Sequence, residues 1–313
     1  MNDELDSELE QKMVNQLARE FLQEQRSHRR WNIFFKSLLA LYLFIFLAIF
    51  LVGQADLDSF GSSKHSALID IRGVISMDSE ANADYIASGL RAAFKDENTA
   101  GVILRINSPG GSPVQSGYIN DEIRRLRGEY PDIPLYAVIG DLCASGGYYI
   151  AVAADKIYAD KASLVGSIGV IMAGFGFVDT IEKMGIERRV RHAGESKAFL
   201  DPFSPQKESE LAHVDNLLAD VHQQFIDTVK QGRGDRLADD KRIFSGLIWT
   251  GEQSIELGLV DALGSAGYVA REIIGEEEIV NFTRRENYLD RFAGSVGASL
   301  ASNLESLLNY HLK

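Results

Sequence analysis

Two hydrophobic patterns divide the chain. Residues 37–53 form an unbroken apolar run, Ser-Leu-Leu-Ala-Leu-Tyr-Leu-Phe-Ile-Phe-Leu-Ala-Ile-Phe-Leu-Val-Gly, with no polar face to interrupt it. From about residue 66 onward, short apolar runs alternate with stretches whose apolar residues recur every three to four positions. A run without a polar stripe suits a lipid environment, whereas alternating strands and amphipathic helices indicate an α/β domain.

Within the second region, 67–75 reads as a strand broken at Gly73, and 82–94 as a helix with Ile86, Leu90 and Phe94 on one face. A strand at 101–106, a helix at 118–126 and a strand at 135–139 follow. A small-residue helix at 148–154 and extended runs at 156–159 and 164–171 come next. Residues 204–232 predict a long helix with Pro205 in its first turn, a favourable place for proline, and a short strand is expected near 278–282. The order implies a largely parallel sheet with right-handed crossovers, whose ligands gather at the carboxyl ends of the strands.

These patterns set the expected organisation: a polar cytoplasmic segment at 1–30, a transmembrane signal anchor at 31–55, a linker at 56–65, the α/β domain at 66–283 and a tail at 284–313. The uncharged run spans only about 25 Å as a helix. Residues 31–35 can lengthen it, with Lys36 snorkelling to the interface and Trp31 in the headgroup belt. Arg26, Arg29, Arg30 and Lys36 precede the run, and Asp56 and Asp58 follow it. The positive-inside rule therefore expects a single-pass protein of the cytoplasmic membrane, N-terminus inside and α/β domain on the extracytoplasmic side. A signal peptide cut near Gly53-Gln54-Ala55 is the competing account. The long polar leader and a run exceeding the usual ~7–15 residues disfavour it. In the tail, Leu289, Phe292, Val296, Leu300, Leu304 and Leu307 make an amphipathic pattern interrupted by glycine and serine. A loose tail, a membrane-surface helix and a protein contact all fit it.

With 313 residues, 45% hydrophobic and 25% charged, the chain is long enough for a substantial core. A net charge of -13 argues against a nucleic-acid partner. The single cysteine, Cys143, rules out an internal disulfide and a cysteine metal cluster.

Candidate chemistry centres on Ser145, between the 135–139 strand and the following helix. Its hydroxyl can project from the turn beside the free N–H groups of a helix start, which suits a nucleophile with an oxyanion site. Serine is also a favoured helix N-cap, and both readings stand at this point. Two glycine loops, Asn107-Ser-Pro-Gly-Gly-Ser-Pro113 and Ala144-Ser-Gly-Gly147, should open on the same sheet edge. Neither carries a Walker lysine or a G-x-G-x-x-G fingerprint. Cys143 stands where a G-x-S-x-G elbow would have its first glycine. Cys143 could itself be the nucleophile, although most free cysteines are small buried hydrophobes.

Together, Asn107-Ser-Pro-Gly-Gly-Ser112, Ala144-Ser-Gly-Gly-Tyr-Tyr149 and Val165-Gly-Ser-Ile-Gly-Val170 resemble the signal peptide peptidase A family of serine peptidases, in its short membrane-anchored form. The resemblance covers about 66–275 and implies a ClpP/crotonase-like fold of stacked β-β-α units. It also implies a Ser–Lys dyad, in which Ser145 matches the nucleophile and Lys197, in Gly194-Glu-Ser-Lys-Ala198, the general base. Ser167 matches a serine that holds the lysine amine, and the backbone N–H groups of Gly111 and Gly146 are the expected oxyanion donors. The amine must be neutral to take the serine proton, so apolar neighbours are required; Ala193, Ala198, Phe199 and Leu200 suit this if Glu195 points away.

No metal or cofactor is expected. The implied substrates are signal-peptide remnants and misfolded membrane or exported proteins. The implied assembly is a homo-oligomer, octameric in the short form, with serine and lysine supplied by neighbouring protomers. Three rivals remain. A Ser–His–Asp triad would use His192 and Asp141, a crotonase-type enzyme would bind an acyl-coenzyme A thioester, and an inactive membrane scaffold would do neither.

Overall fold

The computed structural model describes Trp31, residues 33–48 and residues 63–284, and the chain divides into two compact units, Met1–Ser62 and Ser63–Lys313. The expected cytoplasmic segment 1–30, the end of the anchor at 49–55, the linker up to residue 62 and the amphipathic tail pattern lie outside the described residues. In the first unit, residues 33–48 form helix α1, whose apolar side chains are exposed all round. The rings of Trp31, Phe34 and Phe35 pack together at centroid distances of 5.7–5.9 Å. Among the described residues no helix is long and apolar enough to cross a membrane.

The second unit runs β1 (His65–Arg72), α2 (Ala83–Lys95), β2 (Thr99–Ser108), α3 (Pro113–Glu129), β3 (Leu135–Ala144), α4 (Gly146–Ala151), β4 (Lys156–Ala159) and β5 (Leu164–Gly166). It continues with α5 (Val178–Lys183), α6 (Glu208–Arg233), β6 (Ile248–Thr250), α7 (Gly251–Glu256), β7 (Ala262–Leu263), α8 (Ala266–Tyr268) with a π-helical turn at Val269–Ile274, and β8 (Ile279–Asn281). The sheet order is β6-β5-β3-β2-β1-β8, with β4 also paired to β3 and β7 to β4. Every pairing is parallel except β5–β6.

Residues 65–71 of β1 are buried without a break, as expected when helices cover both faces of a parallel sheet. Side chains alternate between two core layers. Ala67, Ile69, Ile71, Val102, Leu104, Ile106, Ala137 and Ile139 join the layer that holds Ile86, Leu90 and Phe94 of α2. Leu68, Ile103, Val138 and Tyr158 point the other way, against Val269 and Ala270.

The structure moves several expected boundaries. Helix α3 starts at Pro113 rather than 118, because the Ser112 hydroxyl accepts the Gln115 N–H and proline occupies the first turn. Strand β3 continues from 139 to Ala144, where its last residues pair with β5. β5 stops at Gly166 instead of 171, since Ser167 turns the chain with φ 52. Helix α6 begins at Glu208, so Pro205 lies before it rather than in its first turn.

Helix α6 is fastened to the sheet by a buried ion pair. Wholly buried Arg233 donates through Nη1 and Nη2 to Asp261 at 2.8 and 3.0 Å, and through Nε to the Gly258 carbonyl at 2.7 Å. The Ile157 N–H of β4 also donates to Asp261, at 2.7 Å. Burial alone would raise the Asp261 carboxyl, but the hydrogen bonds from Arg233 and Ile157 and the nearby guanidinium charges outweigh it, and the group titrates below its ordinary value. A carboxyl lowered on folding contributes stability above its unfolded value and loses it as the pH falls through the folded one. Arg233→Met should lower the unfolding free energy by about 1.5–3 kcal/mol, because it removes the charged hydrogen bonds to Asp261 and leaves that partly buried carboxylate with only Arg236 and the Ile157 N–H. Urea unfolding at neutral pH measures that loss. Repeated down to pH 3, the Asp261→Asn protein should show a shallower acid decline than the parent.

Candidate active site

The site is built where β2, β3 and β5 end side by side. β2 and β3 stay in register to Ile106 and Ile139, then a bulge brings Ser108 opposite Cys143. Asn107 steps out of the ladder and clamps the far strand, with Nδ2 donating to Asp141 at 2.8 Å and Oδ1 accepting from the Leu142 N–H at 3.1 Å. The loop beyond hangs from Ile75, whose N–H donates to Gly110 O at 2.9 Å and whose carbonyl accepts from Ser112 N–H at 2.8 Å. Gly110 has φ 98, and a Cβ there would lie 2.7 Å from both Gly146 N and Ser145 Cβ. A Cβ on Gly111, at φ 152, would lie 2.0 Å from Ile75 O. Both glycines are required by contact as well as by conformation.

Ser145 follows β3 directly, with φ 51 and ψ -121, a backbone state that costs an L-residue about 1–3 kcal/mol and persists only when its surroundings hold it. The Ser145 N–H donates to Gly166 O at 2.8 Å, and the Ser145 carbonyl accepts from Tyr149 N–H at 2.9 Å. The side chain makes no capping bond to α4. Of the two readings open at the sequence level, the simple N-cap is therefore not what the structure shows. The half-buried hydroxyl has no hydrogen bond among the described residues.

The two expected oxyanion donors lie on adjoining backbone. A Cβ on Gly146 would be 3.3 Å from Gly111 N and 2.5 Å from Ser116 Oγ. Neither the Gly111 nor the Gly146 N–H donates to an acceptor among the described residues. Ser116, which the sequence reading passed over, completes this wall, its Oγ buried without a hydrogen-bond partner. Gly110 was also missed as the glycine pressed against the serine turn; its positive φ and close contacts leave no local signal beyond the Gly-Gly pair.

Ser167 repeats the Ser145 geometry one strand over. Ala144 and Gly166 pair across β3–β5, and each is followed by a serine of positive φ. The Ser167 N–H donates to Leu247 O at 2.7 Å. The Lys197 side chain makes no hydrogen bond to either serine among the described residues. It sits exposed in a turn whose N–H donates to Gly194 O at 3.1 Å, and its side chain has no hydrogen bond or ion pair among the described residues. Glu195 is exposed and makes no ion pair with it. His192 is exposed with Nδ1 2.8 Å from Gly194 O, and Asp141 is engaged by Asn107, so among the described residues neither hydrogen-bonds to the Ser145 hydroxyl. Cys143 points into the core, and burial pushes its thiol well above the usual range.

Residues 130–279 match peptidase family S49. A putative signal peptide peptidase of Enterococcus faecium is 28% identical over 240 residues, 74% of this chain and 69% of that protein. A putative protease of Synechocystis sp. is 35% identical over 187 residues, 58% of this chain and 66% of that protein. These matches support a serine peptidase of the signal peptide peptidase A family. The S49 match contains Ser145, Ser167 and Lys197, while the glycine loop with Gly110 and Gly111 precedes it. A protein of Brucella melitensis named a Na(+)/H(+) antiporter is 45% identical over 188 residues, 60% of this chain. The chain spans only 25% of that protein's length.

Close packing of the glycine loop under Ser145 has a direct test. Gly110→Ala should slow acylation of Ser145 by a fluorophosphonate at least about 100-fold, the scale of a displacement near 1 Å. Gly117→Ala, whose Cβ would meet nothing within 4 Å, should label like the parent.

Proposed function

We propose that this chain is a membrane-tethered serine endopeptidase working through Ser145 and Lys197. The observation that carries the reading is the Ser145 hydroxyl, held without a partner on a strained turn beside the free N–H groups of Gly111 and Gly146. Neutral Lys197 takes the Ser145 proton as Oγ attacks the scissile carbonyl, and the two N–H groups hold the resulting oxyanion. Lys197 then protonates the leaving amine as the C–N bond breaks. Water, deprotonated by the same amine, releases the acyl group and restores Ser145. Ser167 orients the lysine amine. A ClpP/crotonase-like arrangement of stacked β-β-α units is the finer fold we assign to the mixed, largely parallel sheet.

The lysine comes from a neighbouring copy in a homo-oligomer, an octamer in our reading. Support lies in the exposure of Lys197 and of the chain segment that carries it: Ile171 is 89%, Phe175 82% and Met184 68% exposed, and α5 buries no residue. The substrates are apolar peptides, signal-peptide remnants foremost and misfolded membrane or exported proteins besides. Val74 and Met77, which flank the Ile75 anchor of the glycine loop, and Val114 and Tyr118 on the helix after it present exposed apolar side chains for them. Residues 31–55 anchor the protein in the cytoplasmic membrane with the peptidase unit on the extracytoplasmic side, a reading supported by the apolar run and its flanking charges.

Purified full-length chain should be labelled by a fluorophosphonate at Ser145, and Ser145→Ala and Lys197→Ala should each abolish peptide hydrolysis. Mixing the two inactive proteins under exchange conditions should restore part of the activity. Labelling at another residue would sink the nucleophile assignment, and full activity of Lys197→Ala would sink the dyad.

A further inference from the structure

Helix α6 reaches both serine-bearing turns. On the nucleophile side, the Thr228 and Tyr149 hydroxyls lie 2.9 Å apart and Phe225 packs on the Tyr149 ring at 5.2 Å; Tyr149 is the residue whose N–H meets the Ser145 carbonyl. On the other side, half-buried His222 places Nε2 3.2 Å from the Ile168 carbonyl oxygen. A carbonyl only accepts, so the ring nitrogen facing it carries the hydrogen and donates.

This bond falls at a decisive place in the Ser167 turn. The peptide plane before Ser167 is pinned at both ends, its carbonyl by Ser145 N–H and its own N–H by Leu247 O. The plane after Ile168 is the one His222 holds. The two-residue segment Ser167–Ile168, with Ser167 at φ 52, is thus bracketed by anchored peptide planes, and Gly169 follows it, where the backbone could otherwise swing. Ile168 itself is fully buried, so the segment cannot recover the lost donor from bulk water.

We propose that His222 is a positioning residue for the peptidase reaction. By donating to the Ile168 carbonyl it fixes the direction in which Ser167 offers its hydroxyl to the amine of the general base. The proposal rests on the Ser145–Lys197 reading above. His222 acts through Ser167, so its contribution vanishes when the Ser167 hydroxyl is removed.

The test is a double-mutant cycle on the full-length protein in detergent, read as kcat and KM on a fluorescence-quenched apolar peptide. His222→Leu should lower kcat about tenfold with KM within about twofold, and added to Ser167→Ala it should cost less than about twofold more. His222→Gln, whose amide can still donate, should recover most of the lost kcat. Should the leucine protein not fold, His222→Asn, polar but too short to reach Ile168, takes its place in the cycle. An unchanged kcat in His222→Leu, a glutamine protein as slow as the leucine one, or losses that multiply in the double variant would each overturn the role. Lys197→Ala, run alongside, separates the two ideas. Its full activity removes the dyad and this proposal with it; its inactivity together with multiplying losses removes His222 alone.

Discussion

The hydrogen bond from Ser145 N–H to the Gly166 carbonyl is the constraint on which the site depends. It continues the parallel β3–β5 ladder one residue beyond Ala144 and holds Ser145 in a backbone state that an L-residue avoids when free. With φ inverted, the serine hydroxyl is not spent on capping α4, and the N–H of Gly146 is left without an acceptor among the described residues. Strain at one residue is thus maintained by a sheet whose strands are buried on both faces. The sheet has rigidity to spare because residues 65–71 of β1 and most of β2 and β3 lie inside the core.

A second constraint is steric. The glycine loop can lie under the serine turn only because Gly110 and Gly111 lack side chains; a Cβ at either would meet backbone at 2.7 Å or less. The loop is suspended from Ile75, a buried residue between exposed Val74 and a solvent-facing turn, and from the Ser112 cap of α3. Affixing the loop at both ends, with the Ser108 hydroxyl accepting the Gly110 N–H at 3.1 Å, sets the Gly111 N–H beside Gly146. The donors it offers are backbone N–H groups, which depend on loop geometry and not on the identity of an ionisable side chain.

The segment between β5 and α6 contrasts with this rigid half. Its apolar side chains Ile171, Met172, Phe175 and Ile186 stay at the surface, and its internal contacts are local ones, such as Phe177 stacked on Phe203 at 5.5 Å and Arg188 paired with Asp201. A single chain thus holds the Ser145 turn and the Gly111–Gly146 wall together, along with a lysine-bearing arm that has no core of its own. α6 links the halves: it continues from the arm, touches the Ser167 turn through His222 and the Ser145 helix through Phe225, and ends in the buried Arg233–Asp261 pair.

Much of this was legible in the residue pattern. The alternation of short apolar runs with period-3.6 stretches determined the α/β class, the parallel sheet and the strand-end location of both glycine loops, because burial periodicity is a local property. Residue type marked where the backbone could invert, in the paired glycines of the two loops, and offered Ser145 as a nucleophile, whereas Lys197 came from the family resemblance alone. The sequence by itself placed Pro205 inside α6 and extended β5 to 171, since propensity cannot see the turn that Ser167 imposes. Tertiary structure alone decided that Ser145 is not a cap, that Gly111 and Gly146 stand side by side, and that His222 faces Ile168. Those outcomes rest on hydrogen bonds between residues far apart in the chain, 145 with 166, 167 with 247 and 75 with 110. Their geometry comes from strand register and helix docking, which no local window of residues encodes.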